Sequence, residues 1–226
     1  ACVRPPWSHD RLRRETDRLR QVDARNQISL NGDGTRPPKD SDDALADAFS
    51  RQSADEWRYV AVWGDWLQWT GSRWQPDETL SVRHLVRVLC RDQAARGESD
   101  RTRRSLASSG SVAAVERLAR ADPRHARTTE DWDRDPWLLN TPEGAIDLRT
   151  GSVRSADPAD AVTKITRSAT GGDCPTWIGF LDRVTAADRD LQAYLQRMVG
   201  YCLTGRTSEH ALFFLYGTGA NGKSVF

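Results

Sequence analysis

The sequence has few cysteines and no long apolar run, and each shortage excludes a class of protein. Its four cysteines, Cys2, Cys90, Cys174 and Cys202, are isolated, with no C-x-x-C pair and no histidine at ligand spacing. This pattern excludes a dense disulfide framework, argues against a zinc site and favours free thiols in a reducing compartment. No run of about eighteen apolar residues occurs, and none follows a basic start. We therefore expect a soluble, cytoplasmic protein.

The chain also lacks an excess of either charge. Its 33 lysines and arginines are balanced by 32 aspartates and glutamates, giving a formal net charge of +1. Overall charge therefore does not indicate a nucleic-acid-binding protein, and any basic surface must be local. The chain can hold one or two domains. Because it starts at Ala1 rather than Met and stops inside a motif, we expect it to be part of a longer protein.

The motif at the end of the chain, GTGANGKSVF, contains a phosphate-binding loop. Residues 217–224 match G-x-x-x-x-G-K-[ST], in which backbone N–H groups surround phosphates. The preceding run ALFFLY (211–216) is short and apolar throughout, as expected of a strand buried on both faces. A chance glycine-rich turn is the alternative, but Lys223 and Ser224 both stand in register. A helix normally follows such a loop, and here only two residues follow.

Aromatic residues are concentrated between positions 57 and 74. They alternate with polar residues around two glycine-containing turns, a pattern that predicts two or three short antiparallel strands. Exposed tryptophans could stack nucleobases. More often such side chains fill a small core, and we expect these to pack on the next helix. The residues concerned are Trp57, Tyr59, Trp63, Trp66, Trp69 and Trp74.

Helical periodicity precedes and follows this aromatic segment. Ser41 can cap a short helix, and an apolar stripe predicts an amphipathic helix over residues 82–89. Another such helix stops before Pro123, and a capping box at 185–188 separates two more, the last of which Gly205 can end. The side chains expected to face inward are Leu45, Ala48 and Phe49; Val82, Leu85, Val86 and Leu89; Val112, Val115 and Leu118; Trp177, Phe180, Leu181 and Val184; and Leu191, Leu195, Met198, Val199 and Cys202.

A region of short strands and turns lies between these helices, in residues 137–166. Strands are predicted at 138–139, 146–148 and 162–166, with turns at 141–144 and 149–151. Asp147 resembles a metal-binding or catalytic carboxylate, but no second carboxylate stands at useful spacing. We therefore interpret it as a turn-stabilising residue.

Two groups of arginines are the candidate nucleic-acid contacts. Arg83, Arg87 and Arg91 share a face of the 82–89 helix, and RTRRSLASSG adds Arg101, Arg103 and Arg104. Charged faces of this kind are most often only solvated. The alternative is sequence-independent contact with DNA phosphates.

The order of three motifs carries a family resemblance. The segments IDLRTG, GYCLTGRTSE and LFFLYGTGANGKS, with RYVAVWGDWLQWTGSRWQPDE and EDWDRDPWLLN before them, resemble the phage and plasmid primase-helicases related to the poxvirus primase-helicase. The resemblance covers about residues 40–226. It implies a helical N-terminal domain, and together with the Trp-rich meander predicted above this makes the expected fold class α+β. The first strand and phosphate loop of a truncated α/β, AAA+-like ATPase of helicase superfamily 3 would follow.

The domain boundaries expected from this resemblance divide the chain into three parts. Residues 1–39, which are polar and rich in arginine, would be a linker or the tail of a preceding module, and Leu12, Leu19 and Val22 allow a charged helix there. Residues 40–206 would form the poxvirus-type N-terminal-like domain. Residues 207–226 would begin the motor.

The resemblance also implies an ATP-dependent DNA helicase of a mobile element, acting as a homo-hexamer with ATP and Mg²⁺. Lys223 would contact the β/γ-phosphates and act in catalysis, Ser224 would bind Mg²⁺, and the chain as given would be inactive. The loop residues expected around the nucleotide are Gly217, Thr218, Gly219, Ala220, Asn221, Gly222, Lys223 and Ser224.

Two other functions remain open from the sequence. One is a non-catalytic module that binds DNA or promotes oligomerisation of the motor. The other is a P-loop kinase with an unusual extension, since kinases carry the same octet.

Overall fold

The structure is a computed structural model that describes residues 37–217, 219 and 221–226. Its fold is a mixture of helices and two small sheets, so the predicted α+β class is confirmed. Predictions for the N-terminal linker, including Leu12, Leu19 and Val22, and for Cys2 lie outside the described residues, except at positions 37–39. The elements are α1 (Asp42–Ser53), β1 (Trp57–Val60), β2 (Asp65–Trp69), β3 (Trp74–Pro76), α2 (Ser81–Ala95), α3 (Asp100–Leu106), α4 (Ser109–Arg120), β4 (Ala126–Arg127), β5 (Leu138–Thr141), β6 (Gly144–Asp147), β7 (Val153–Arg154), α5 (Pro175–Val184) and α6 (Arg189–Leu203).

The aromatic segment forms the predicted antiparallel meander. Strands β1, β2 and β3 pair in sequence, with Tyr59 opposite Trp66 and Trp69 opposite Trp74. The sheet order is β3-β2-β1-β4, and β4 lies parallel to β1. The sequence did not reveal β4, because two residues are too few to show a period.

Both faces of this sheet are buried, and by different parts of the chain. Successive side chains of a strand point to opposite faces. Tyr59 and Trp66 therefore join the core formed with α1, α2 and α4, while Leu67 packs with Trp74 and Trp132 on the other side. The prediction that the tryptophans fill a core is confirmed for Trp57, Trp66 and Trp74, which are buried; Trp69 is partly buried against the second core, and Trp63 is exposed at 44%.

The N-terminal helices form where predicted, but their buried faces differ in part. Ser41 caps α1, its hydroxyl accepting a hydrogen bond from the Ala44 amide. On α2 the predicted inward Leu85 is 40% exposed, and on α4 Leu118 is 43% exposed. Both predictions were wrong, because an apolar stripe fixes a helix but not which of its edges meets the neighbouring element. The stripes actually buried are Val82, Val86, Cys90 and Ala94 on α2 and Val112, Val115 and Ala119 on α4.

The second sheet, β5-β6-β7, confirms two of the three predicted strands in this region. The segment 162–166 is not a strand, and the third strand is β7 instead. Isolated backbone hydrogen bonds hold the segment: the Val162 carbonyl accepts from Trp74 N, and Thr166 N donates to the Asn140 carbonyl. It thus links the two sheets without joining either ladder. Asp147, the last residue of β6, stabilises the following turn as predicted, because its carboxylate accepts from the Arg149 amide at 2.7 Å.

The junction of α5 and α6 differs from the predicted capping box. Thr185 ends α5, and the N-cap of α6 is Asp188, whose carboxylate accepts from the amides of Asp190 and Leu191. Ala186 and Ala187 lie between them with positive φ. The carboxylate at 188 competes successfully for the cap, since Asp is a strong N-cap residue. Gly205 follows α6 with φ 63°, as expected of a C-terminal glycine.

The end of the described chain is more exposed than predicted. On α6 only Met198 of the expected stripe is buried, and Cys202 and Val199 are exposed. Residues 211–216 do not form the predicted buried strand, and Leu212 is 91% exposed. The physical reason is that a strand needs a neighbour for its backbone groups, and the described residues place no strand beside this segment.

The sequence predicts free thiols and no membrane-spanning segment, and the structure describes both features. Cys90 is buried, Cys174 and Cys202 are exposed, and all three are free thiols. Burial raises the pKa of the Cys90 thiol. In the part of the chain that the structure describes, no helix is both long and apolar enough to cross a membrane.

Candidate nucleic-acid interface and phosphate loop

The first predicted site is the row of arginines on α2. Burial of Val82, Val86 and Cys90 against the core turns the adjacent positions outward, so Arg83, Arg87 and Arg91 are all exposed. They recur every four residues, about 6 Å apart along the helix axis. The sequence predicted this row, and the structure brings its members together on one face.

This row lines a cleft of 410 Å³ that α2 shares with α4. Ser109, in the first turn of α4, lies across the cleft from the arginines, and His84 lies among them. The Arg87 guanidinium lies 3.0 Å from His84 Nδ1. This hydrogen bond joins two side chains that are one helical turn apart. Sequence reasoning missed Ser109, because only the packing of α2 on α4 places it beside the row. It also missed His84, although His84 lies on α2 three residues before Arg87 and helical spacing alone would have placed it there.

The charged side chains that line the cleft are all basic. Its lining residues are Leu80, Arg83, His84, Arg87, Arg91, Ala107, Ser109 and Val112. None of these described lining residues is acidic. The first turn of α4 adds the positive end of a helix dipole. The cleft is therefore a local basic surface on a chain whose overall charge is nearly balanced.

The second predicted group, on α3, is arranged differently. Arg103 donates from Nε to the Gly97 carbonyl at 2.9 Å and lies 3.5 Å from the Asp100 carboxylate, so it stabilises the α2–α3 turn. Arg101 and Arg104 are exposed. None of the three lines the cleft. The structure thus brings together only half of the predicted arginines.

A polar network fixes the sheet against α4, the helix that supplies Ser109 and Val112 to the cleft. The buried carboxylate of Glu116 accepts from Trp66 Nε1 at 2.7 Å and from the guanidinium of Arg120 at 2.7 Å. Hydrogen bonds and the charge of Glu116 raise the pKa of Arg120. A buried carboxylate is stable only when it is paired and hydrogen-bonded, and this one has both partners. The network therefore orients α4, on which Ser109 stands.

The second candidate site is the loop at 217–224, in which Thr218 and Ala220 lie outside the described residues. Gly217 has φ 152° and Gly222 has φ 83°, both in the region that favours glycine. A Cβ at Gly222 would lie 2.6 Å from Val184 on α5. Glycine at this position therefore allows the loop to approach the helix closely.

Lys223 points back over its own loop. Its Nζ donates to the Gly217 carbonyl at 3.1 Å and to Asn221 Oδ1 at 2.5 Å. The Val225 and Phe226 amides both donate to the Gly222 carbonyl, so a single turn follows the loop. The glycines, Lys223 and the exposed Ser224 are residue types that suit a nucleotide phosphate and its Mg²⁺. The described residues contain no helix after the loop that would direct amides at a phosphate.

Comparison with known proteins places the domain in a family. The family model described as D5 N terminal like matches residues 43–186, from α1 to just beyond α5. A putative helicase of Acanthamoeba polyphaga mimivirus is 30% identical over 109 residues, which are 46% of this chain and 11% of that protein. The chain thus spans about a tenth of that relative's length. The residues matched by the family model include the arginine row and exclude the phosphate loop.

Proposed function

The chain belongs to the D5 N-terminal-like family of primase-helicases, and from that premise we propose that it forms part of an ATP-dependent replicative DNA helicase of a phage, plasmid or other mobile element. The observation that carries the proposal is the family match over 43–186, on a chain that also bears the octet GTGANGKS. The relative named as a putative helicase supports the same class of activity. The likeness to a helicase family favours DNA as the partner.

Residues of the octet would bind the nucleotide in this proposal. Lys223 would leave its contacts with Gly217 and Asn221 to place its ammonium on the β/γ-phosphates, and Ser224 would offer its hydroxyl to Mg²⁺. The glycines would let backbone amides approach the phosphates. ATP hydrolysis would supply the energy for unwinding, in a ring that we expect to be hexameric.

The test is ATP turnover in a protein that carries this chain together with a complete motor. Lys223→Ala should abolish DNA-stimulated hydrolysis, because it removes the positive charge from the phosphates. Lys223→Arg keeps the charge but moves it, so it should retain binding and lose most of the rate. Lys164→Ala, which removes an exposed lysine outside the loop, is the matched control and should leave the rate unchanged.

Mg²⁺ titration gives a second readout. Ser224→Ala should lower activity most at low Mg²⁺, since it removes one oxygen ligand of the metal. The 226-residue chain itself should bind ATP weakly and hydrolyse none. ATP turnover by that chain, or a rate in the longer protein that does not change with Lys223→Ala, would contradict the proposal.

A second candidate function is a non-catalytic module that holds DNA for the motor. The arginine row favours it, because Arg83, Arg87 and Arg91 are exposed on one face and line a cleft without acidic residues. This function and the first are compatible within one protein. A kinase is disfavoured by the match to a primase-helicase family.

A further inference from the structure

We infer that the cleft between α2 and α4 binds the sugar-phosphate backbone of one nucleic-acid strand, with Arg83, Arg87 and Arg91 contacting successive phosphates. This inference rests on the proposed function, which it deepens by naming the surface and the part of the nucleic acid that it contacts. The proposed binding surface includes only three of the six predicted arginines, because Arg101, Arg103 and Arg104 do not line the cleft.

The spacing of the row suits a repeating anion. Four residues of α-helix advance about 6 Å, so the three guanidinium groups leave α2 at equal steps over about 12 Å. Successive phosphates along one strand are separated by a distance of the same order. Guanidinium groups bind phosphate oxygens with two parallel hydrogen bonds. The row can therefore follow a strand phosphate by phosphate.

The arginines of the row also differ from other arginines of the domain because they form no ion pairs with the carboxylates of residues 37–217. Arg120, Arg124 and Arg154 each lie within 2.9 Å of a carboxylate oxygen, and their charges stabilise the fold. Within residues 37–217, no carboxylate lies within ion-pair distance of Arg83, Arg87 or Arg91. A phosphate entering the cleft would therefore not have to displace a carboxylate of the described domain.

The lining explains why the contact is to the backbone rather than to bases. Binding of single strands through bases uses exposed aromatic rings on which the bases stack. The described residues of the cleft include no tryptophan, tyrosine or phenylalanine. Trp57, Trp66 and Trp74 are buried in the cores instead. Binding in the cleft should therefore be independent of sequence and strongly dependent on salt.

The experiment measures the affinity of the 226-residue chain for labelled oligothymidylate by fluorescence anisotropy across a range of salt concentrations. The logarithm of the association constant falls as the logarithm of the salt concentration rises, with a slope of about −0.7 for each phosphate contact on a single strand. The triple variant R83A/R87A/R91A should therefore make this slope shallower by about two units. Its affinity at low salt should fall about tenfold or more. An oligoadenylate should give the same slope as oligothymidylate.

A matched control removes the same charge elsewhere. R117A/R167A/R197A replaces three exposed arginines that do not line the cleft and lowers the net charge equally. It should keep the slope of the unmodified chain. Equal losses in both triple variants would show that net charge, not the cleft, governs binding, and would overturn the inference. Circular dichroism and melting curves should show that both variants remain folded.

A second variant tests the chemistry of the contact. R83K/R87K/R91K keeps three positive charges, so it should retain most of the salt dependence. Its affinity should be lower, because a lysine cannot make the two parallel hydrogen bonds of a guanidinium. A slope as low as that of the alanine variant would overturn backbone binding. The assay contains no nucleotide. Its failure would therefore overturn the cleft alone, whereas failure of the ATP-turnover test would leave the cleft standing.

Discussion

At the scale of single residues, a buried histidine is the most unusual group in the aromatic core. His125 is fully buried, packs against the rings of Phe49 and Trp66, and donates from Nδ1 to the Trp57 carbonyl at 2.9 Å. Among the described residues, its Nε2 has no hydrogen-bond partner. Burial lowers the pKa of His125, and the carbonyl and Asp122 only partly offset that effect.

We predict that this histidine makes the fold less stable in mild acid. The unfolded chain binds a proton at His125 below about pH 6.5, the ordinary value, whereas the folded chain resists it. The contribution to the free energy of unfolding is therefore present above pH 6.5. It should be lost as the pH falls toward the lowered pKa, by at most about 1.4 kcal/mol per pH unit. Urea denaturation between pH 5 and 7.5 measures it.

Two substitutions distinguish the contribution of His125 to the pH dependence of stability from that of other residues. His125→Asn keeps an N–H donor but does not titrate, so it should flatten the pH dependence while costing about 1–3 kcal/mol in packing at all pH values. Val115→Ala removes buried apolar atoms from the same core and no titratable group, so it should lower stability at every pH and keep the pH dependence of the unmodified chain. An undiminished slope in His125→Asn would assign the acid sensitivity to other residues.

At the scale of elements, α2 depends on a cap that lies outside its first turn. Leu80 precedes the helix with φ 58° and contributes no side-chain cap. Asp77 supplies it instead, accepting from the Val82 amide at 3.2 Å and the Thr79 amide at 3.0 Å. Partial burial raises the pKa of Asp77, but these hydrogen bonds outweigh burial, so the pKa lies below its usual value.

We predict that Asp77→Ala lowers the free energy of unfolding by about 1 kcal/mol, the usual cost of losing a helix cap. Asp77→Asn keeps an acceptor oxygen and should cost less. Chemical denaturation midpoints measure both effects. Glu78→Ala is the control at the neighbouring exposed acidic residue and should have little effect. A midpoint for Asp77→Ala equal to that of the unmodified chain would show that solvent satisfies the amides at the helix end without the carboxylate.

At the scale of the whole molecule, the tryptophans report on the division between core and surface. Trp57, Trp66, Trp74 and Trp132 are buried at 8% exposure or less. Trp63, on the β1–β2 turn, and Trp177, on α5, are 44% and 39% exposed. Among the described residues, the tryptophans therefore include a buried group and an exposed group, with Trp69 and Trp137 partly buried between them.

We predict that acrylamide quenches the tryptophan fluorescence of the folded chain in two populations, giving a Stern–Volmer plot that curves downward. Trp63→Phe with Trp177→Phe should reduce the accessible fraction, because both indoles contact solvent. Trp57→Phe should leave that fraction nearly unchanged. A linear plot with the slope of free tryptophan would contradict the buried core described above.

Local patterns determined much of the fold from the sequence alone. Alternating aromatics predicted the meander, apolar stripes predicted the helices, and Ser41 and Gly205 marked two of their ends. These features depend on neighbours a few residues apart, which the sequence displays directly. The arginine row was predictable for the same reason, since Arg83, Arg87 and Arg91 follow the helical period.

Only the tertiary structure decided which faces meet and which groups lie together. Leu85 and Leu118 satisfy the helical pattern yet are exposed, because α2 and α4 pack through the other edge of each stripe. The cleft gained Ser109, distant in sequence from the arginines, because those two helices lie side by side. The apolar run 211–216 has the pattern of a strand but forms none. A strand forms only where a neighbouring strand can make hydrogen bonds to its backbone.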